Sequence, residues 1–232
     1  MLGVILAIVL LIGILLFATQ IKEIEVTGNQ HYTEEQIIDL IFDEKWSKNS
    51  AYCYYENKFQ EPKSIPFIEE YKVEFQSPSK VRVVVFEKSV VGYVSYMSSY
   101  MYFDKDGIIV ESSGEQLNGV PWVTGMEFGH IVLHQPLPVD NQAIFEQILN
   151  LTQILSLNNI RVDKINYNNF MEAELYIDDI LVELGNDDSL NGKITELKDI
   201  LDSGEINGLA GTLYLDNYDE NNSNPIYSFI KE

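Results

Sequence analysis

Residues Met1 to Ala18 carry neither a charge nor a hydrogen-bonding side chain. Coiled as a helix, at about 1.5 Å per residue, such a run is ~27 Å long, close to the hydrocarbon thickness of a bilayer. A helix satisfies its own backbone polar groups in that medium. The run therefore predicts a transmembrane anchor over residues 1–19, with the lipid bilayer around it. A cleaved signal peptide would show a basic leader, a shorter apolar core and a small-residue cleavage site. No Lys or Arg precedes this run, and Leu16-Phe17-Ala18 is a poor cleavage site. The same lack of a basic flank leaves the orientation of the anchor unspecified.

Every charged residue lies beyond the run, where 36 Asp and Glu against 15 Lys and Arg give a formal net charge of −21. A body so acidic is no nucleic-acid binder, because neutralising phosphates takes a basic surface. It is equally unsuited to tight docking on anionic lipid headgroups. The single cysteine, Cys53, excludes an internal disulfide.

Hydrophobic spacing divides the body in two. In the first part Ile24 and Val26 alternate with Glu23 and Glu25, predicting a short strand that ends at Thr27-Gly28-Asn29. Thr33 and Gln36 have the spacing of a capping box, and Tyr32 and Ile37 that of a hydrophobic staple, so a helix starts there with Ile37, Leu40 and Ile41 on its apolar face. A second helix is predicted over Ser50 to Phe59. Two alternating runs follow, Tyr71-Val73-Phe75 and Val81-Val83-Val85, joined by the turn Ser77-Pro78-Ser79. The order is strand, helix, helix, strand, strand.

In the second part, short aromatic and β-branched runs recur at Val90–Tyr96, Met101–Phe103, Ile108–Glu111 and Val120–Val123, with a hairpin signal at Asp106-Gly107. Asp140 is placed to cap a helix striped by Ile144, Ile148, Leu151 and Leu155. Asn168-Asn169 and Asp178-Asp179 read as two-residue breaks between strands. A last helix carries Ile194, Leu197 and Leu201 and stops at Gly204. A final strand, Gly211 to Tyr218, precedes a polar tail.

Ile24-Glu25-Val26-Thr27-Gly28-Asn29 and the Thr33-capped helix resemble the opening of a POTRA domain. Downstream, Val73 and Pro78 followed by Val81–Lys88 resemble the strand pair of the FtsQ/DivIB cell-division family. So do the hairpin Tyr102-Phe103-Asp104-Lys105-Asp106-Gly107-Ile108-Ile109 and the segment Pro121-Trp122-Val123-Thr124-Gly125. Leu184-Gly185 with Lys193, Leu197 and Ile200-Leu201 resembles that family's strand-to-helix pattern. The resemblance covers nearly the whole chain, with its motifs in order. It implies an α+β architecture: an N-terminal transmembrane helix (1–19), a POTRA-like β-α-α-β-β domain (20–88), a mainly antiparallel β domain with flanking helices (89–218) and a flexible tail (219–232). It also implies a scaffold at the division septum with its body outside the cytoplasm, binding FtsB/DivIC-type and FtsL-type coiled-coil proteins and helping to regulate septal peptidoglycan synthesis.

Relatives implied by that resemblance take up a partner strand along their last strand. The positional equivalents here are Gly211, Thr212, Leu213, Tyr214, Leu215, Asp216 and Tyr218, with Leu213 and Leu215 facing one way and Thr212, Tyr214 and Asp216 the other. An unpaired strand border offers free N–H and C=O groups to an incoming chain. Two other readings compete with the scaffold. One is a wall-active hydrolase using paired carboxylates, and the other a POTRA protein handling polypeptides in export. No nucleophile elbow, P-loop or dinucleotide fingerprint is present. His130 and His134 lack the H-E-x-x-H arrangement of a zinc helix. Asp104-Lys105-Asp106-Gly107 has its glycine too early for a calcium loop. Cys53, among Tyr52, Tyr54 and Tyr55, reads as a packed thiol. No cofactor or metal is implied.

Overall fold

The computed structural model describes Leu10 and residues 19–168, 170–218 and 227–231. The chain divides into two compact units, the first ending at Lys88 and the second beginning at Ser89.

The first unit is built on β3 (Lys80–Glu87), whose Val81, Val83 and Val85 are buried. β3 is central in a three-stranded sheet, pairing in parallel with β1 (Glu23–Thr27) and antiparallel with β2 (Ile68–Ser77). Between β1 and β2 run α1 (Glu34–Ile41) and α2 (Ser50–Phe59). The capping box forms as its spacing predicts: Gln36 N donates to Thr33 Oγ1 at 3.3 Å and Thr33 N to Gln36 Oε1 at 2.9 Å. Ile37 and Ile41 are buried from α1, but Leu40 is 37% exposed, so the apolar face is narrower than expected. Gly28 has φ +88°, and a Cβ there would lie 2.2 Å from Val85 O. Only glycine lets the chain turn that close to the central strand.

The second unit is a nine-stranded sheet in the order β12-β11-β10-β9-β8-β7-β4-β5-β6. Its strands are β4 (Gly92–Tyr96), β5 (Ser99–Phe103), β6 (Ile109–Ser113), β7 (Trp122–Thr124), β8 (Lys164–Tyr167), β9 (Ala173–Ile177), β10 (Ile180–Gly185), β11 (Gly211–Tyr214) and β12 (Ser228–Lys231). Helix α3 (Gln142–Leu157) carries the chain from β7 to β8, and α4 (Leu190–Ser203) from β10 to β11. Both helices put their apolar stripes on the same sheet face. Ile148, Leu151, Ile194 and Leu197 join Val123, Ile165, Leu175, Val182 and Leu213 in one core.

Three expectations change. The transmembrane helix is not part of the described architecture: among the described residues, no helix is long and apolar enough to cross a membrane. The described helices are one-sided, as in α3, where Glu146, Asn150 and Gln153 are exposed opposite the core stripe. The apolar run itself, Leu10 apart, lies outside the described residues. The large sheet is mixed, with five antiparallel strand pairs and three parallel ones among the described residues. β4–β7, β7–β8 and β10–β11 pair in parallel. Two of these pairs follow directly from α3 and α4, since a helical crossover returns the chain in the same direction. The cap of α3 is Asn141, whose Oδ1 accepts from Ala143 N and Ile144 N, and not Asp140. The expected flexible tail contains β12, because Phe229 packs its ring against the core while its neighbours are polar or exposed.

Glu87 closes the first unit. Its carboxylate is 5% exposed and accepts from Gln30 N at 2.9 Å and His31 N at 3.0 Å, with His31 Nδ1 2.6 Å from Oε2. Burial works against its charge, but these donors outweigh burial and hold its pKa below the usual carboxylate value. A depressed folded pKa contributes stability that is present above the unfolded pKa and lost as pH falls through the folded one. Glu87→Gln should therefore destabilise the first unit by about 1–3 kcal/mol at neutral pH in urea unfolding. The gap from the parent should shrink as pH drops through the carboxylate range.

Candidate functional site

β11 follows α4 and the loop 204–210. Leu213 and Leu215 are fully buried, whereas Thr212 and Tyr214 are half-buried on the opposite face. On one side β11 pairs in parallel with β10, Gly211 opposite Ile180 and Tyr214 opposite Glu183, and Leu215 N extends the ladder to Glu183 O at 2.8 Å. After Leu215 the chain turns away, with Tyr218 N donating to Leu215 O. The sheet-forming part of the expected strand is thus Gly211–Tyr214 plus the Leu215 amide. Asp216 and Tyr218 lie beyond it.

The border expected to be bare is occupied. β12 pairs antiparallel with β11 along its whole length, Gly211 opposite Lys231, Thr212 opposite Ile230, Leu213 opposite Phe229 and Tyr214 opposite Ser228. This seat depends on Gly211. A Cβ there would lie 2.4 Å from Ile230 O, 2.9 Å from the Phe229 ring and 3.0 Å from Lys231 Cα, all atoms of β12. Ile230 is 58% exposed, and only Phe229 of the four strand residues packs on the core. The opposite border of the sheet is covered differently: Ile109 N donates to Gln135 O and His134 N to Ile109 O, so the 134–135 segment lies along the start of β6.

None of the residues weighed for chemistry assembles a reaction centre. His130 Nδ1 is 2.9 Å from Tyr96 Oη, while His134 sits in a turn with φ +62°. Among the described residues no group of three His, Cys, Asp or Glu side chains could hold a metal. Asp104 Oδ1 accepts from Asp106 N and Ile108 N, which makes it the acceptor of a hairpin turn. Lys193 is wholly buried and donates to Leu184 O at 2.7 Å and Asn186 O at 2.9 Å. Burial pushes its ammonium pKa down, yet both bonds hold the β10–α4 connection and leave no donor aimed at solvent.

Comparison with known proteins agrees with this geometry. Residues 19–88 match the family described as POTRA domain, FtsQ-type. The cell division protein DivIB of Clostridium botulinum strain Hall is 26% identical over 194 residues, covering 80% of this chain and 73% of that protein. DivIB of strain Loch Maree is 25% identical over the same length and shares. These matches support an FtsQ/DivIB-type protein. Both relatives are cell division proteins by name.

Within the second unit, β12 is the element that sequence reasoning missed. Its signal was the short alternation Tyr227-Ser228-Phe229-Ile230, diluted in a tail of Asn, Asp and Ser. The Asn168-Asn169 break also differs. Asn168 Oδ1 accepts from Phe170 N and Glu172 N, so that connection is longer than two residues. Asp178-Asp179 is a two-residue turn, with Ile177 paired to Ile180.

Cys53 is buried, and burial followed by the nearby Glu56 charge pushes its thiol up to about 11. A thiol so little ionised is a poor nucleophile. Ellman's reagent at pH 8 should modify the folded protein at least ~10-fold more slowly than the same chain in denaturant.

Proposed function

We propose that this chain is a scaffold of the division machinery that binds an FtsB/DivIC-type and FtsL-type partner pair at the β11 end of its large sheet. Acting at the septum, it helps to regulate septal peptidoglycan synthesis. The partner strand takes the place of β12 beside Gly211–Leu215, with Tyr214 as an aromatic anchor on the half-buried face.

The observation that carries this reading is the asymmetry of β11. Its β10 side is locked by a shared core, whereas its β12 side is held by four residue pairs and one half-buried ring. Fully burying a Phe stabilises by about 1.5–3 kcal/mol, so Phe229 provides less than that. A partner strand with equal main-chain pairing and better-seated side chains can exchange with β12. The family supports a protein-binding role, and the names of its relatives place them in cell division.

The test is affinity between this chain and a purified, soluble FtsB/DivIC–FtsL-type pair. Tyr214→Lys should weaken binding by roughly tenfold or more while circular dichroism is unchanged. Removal of 227–232 should tighten it, whereas Gly211→Ala, whose Cβ would crowd any backbone seated in the place of β12, should weaken it. Loss of binding on removing 227–232 would show the partner adding outside β12. Indifference to all three changes would remove β11 from the interface.

A further inference from the structure

Strand register aligns side chains across the large sheet on the face turned away from α3 and α4. One row runs Trp122, Lys164, Tyr176, Leu181, Thr212, each opposite the next in adjacent strands. A second row, two residues along, runs Thr124, Asn166, Glu174, Glu183, Tyr214. Side chains alternate across a sheet, and the intervening Val123, Ile165, Leu175, Val182 and Leu213 are the ones in the core. The two rows therefore belong to the uncovered face. Trp122 is 38% exposed, and Tyr176, Leu181 and Tyr214 are half-buried and not part of the core.

The same face shows how it takes a cover. Further along the first row, Trp122 is followed by Tyr93 and then Tyr102. These are 2% and 0% exposed. Segment 115–117 closes over them: Tyr102 Oη donates to Glu115 O at 3.2 Å and accepts from Leu117 N at 2.7 Å, and Gln116 Nε2 contacts Tyr93 Oη. The cover stops there, and the aromatic row continues bare into Trp122.

We propose that this bare continuation, from β7 to β11, docks a basic amphipathic helix of a partner protein. With strands ~4.8 Å apart, five strands present a patch about 19 Å across, which three to four helical turns span. Trp122, Tyr176 and Leu181 offer the apolar seat. Charge chooses the occupant. Glu183 has no basic partner among the described residues, and Glu174 is met only by the neutral Asn166 Nδ2 and Tyr176 Oη. Burial, then Asp216, Glu174 and Glu172, push Glu183 upward, the mark of carboxylates crowded without cations. The one nearby ammonium, Lys164, is held over the Trp122 and Tyr176 rings at 5.2 Å and 4.7 Å. A docking helix must therefore bring Lys or Arg along one flank of its apolar stripe. A second copy of a chain with net charge −21 would set carboxylates against carboxylates. The seat uses a sheet face, so it is distinct from strand exchange at β11 and does not rest on it.

The test uses the full chain carrying Trp46→Phe, which leaves Trp122 as the only tryptophan. The probe is a helical peptide of about 18 residues with leucines at i, i+3, i+4 and i+7 and lysines on the flanks. It should saturate with a blue shift of Trp122 emission, and Leu181→Asp and Glu183→Lys should each weaken it roughly tenfold. Glu183→Lys, at a half-buried surface position, keeps the test open if Leu181→Asp fails to fold. Glu146→Lys on the far side of α3 should leave the affinity unchanged. Equal binding by a scrambled peptide, equal weakening by Glu146→Lys, or a motionless Trp122 spectrum overturns the proposal. Self-association lost with Leu181→Asp would seat a second copy there and overturn it too.

Discussion

The second unit depends on one constraint: both crossover helices lie on the same face of the sheet. Parallel neighbours need a long connection, and α3 and α4 supply it between β7 and β8 and between β10 and β11. Because both return over one side, a single core collects Val123, Ile165, Leu175, Val182 and Leu213 beneath them. On the opposite side the 115–117 segment closes over Tyr93 and Tyr102. Sidedness of the helices thus leaves a face, and the linear strand order leaves a border at β12.

That arrangement has to be held at its joints, and two residues do so by opposite means. Gly125 (φ +88°) passes so near β8 that a Cβ would sit 1.7 Å from Tyr167 O, so backbone rests on backbone where the parallel pair ends. Lys193 is wholly buried, and its Nζ donates to the carbonyls of Leu184 and Asn186 where β10 bends into α4. A buried ammonium is costly unless its hydrogen bonds are made, and charge-assisted bonds to carbonyls are among the stronger ones. The helix it serves needs that help, since its cap Ser189 has φ +55° and makes no side-chain capping bond.

Local chemistry was legible where one short stretch decides the outcome. Thr33 with Gln36 specifies its cap through its own side chains, and Asp106-Gly107 and Asp178-Asp179 mark tight turns; each is found so. The alternating valines of β3 likewise dictate which face is buried. Parallel pairing was harder to see, although the strand–helix–strand order carried it, because nothing within a strand announces its neighbour. β12 was harder still. Its placement rests on Phe229 finding the core and on Gly211 making room, two residues 18 positions apart in a tail whose average composition is polar. The acidic row Glu174–Glu183 was hidden for a similar reason: among 36 acidic residues only the register brings those two opposite each other.

Register also links the two surfaces of this unit. β11 contributes Gly211 and Leu213 to the pairing with β12 and the core, while Thr212 and Tyr214 end the two rows on the uncovered face. A strand has only two faces and two borders, so whatever lies beside β11 touches the rows as well. Ile230 of β12 already extends the first row by one position, opposite Thr212, and is largely exposed there. A chain that exchanged for β12 would place its own side chain at that position. The face would then become longer without any change in the core, because the core side of β11 is fixed by Leu213 and Leu215 against the helices. Border and face are therefore coupled through one four-residue strand, and the buried leucines of that strand are what let its other sides vary.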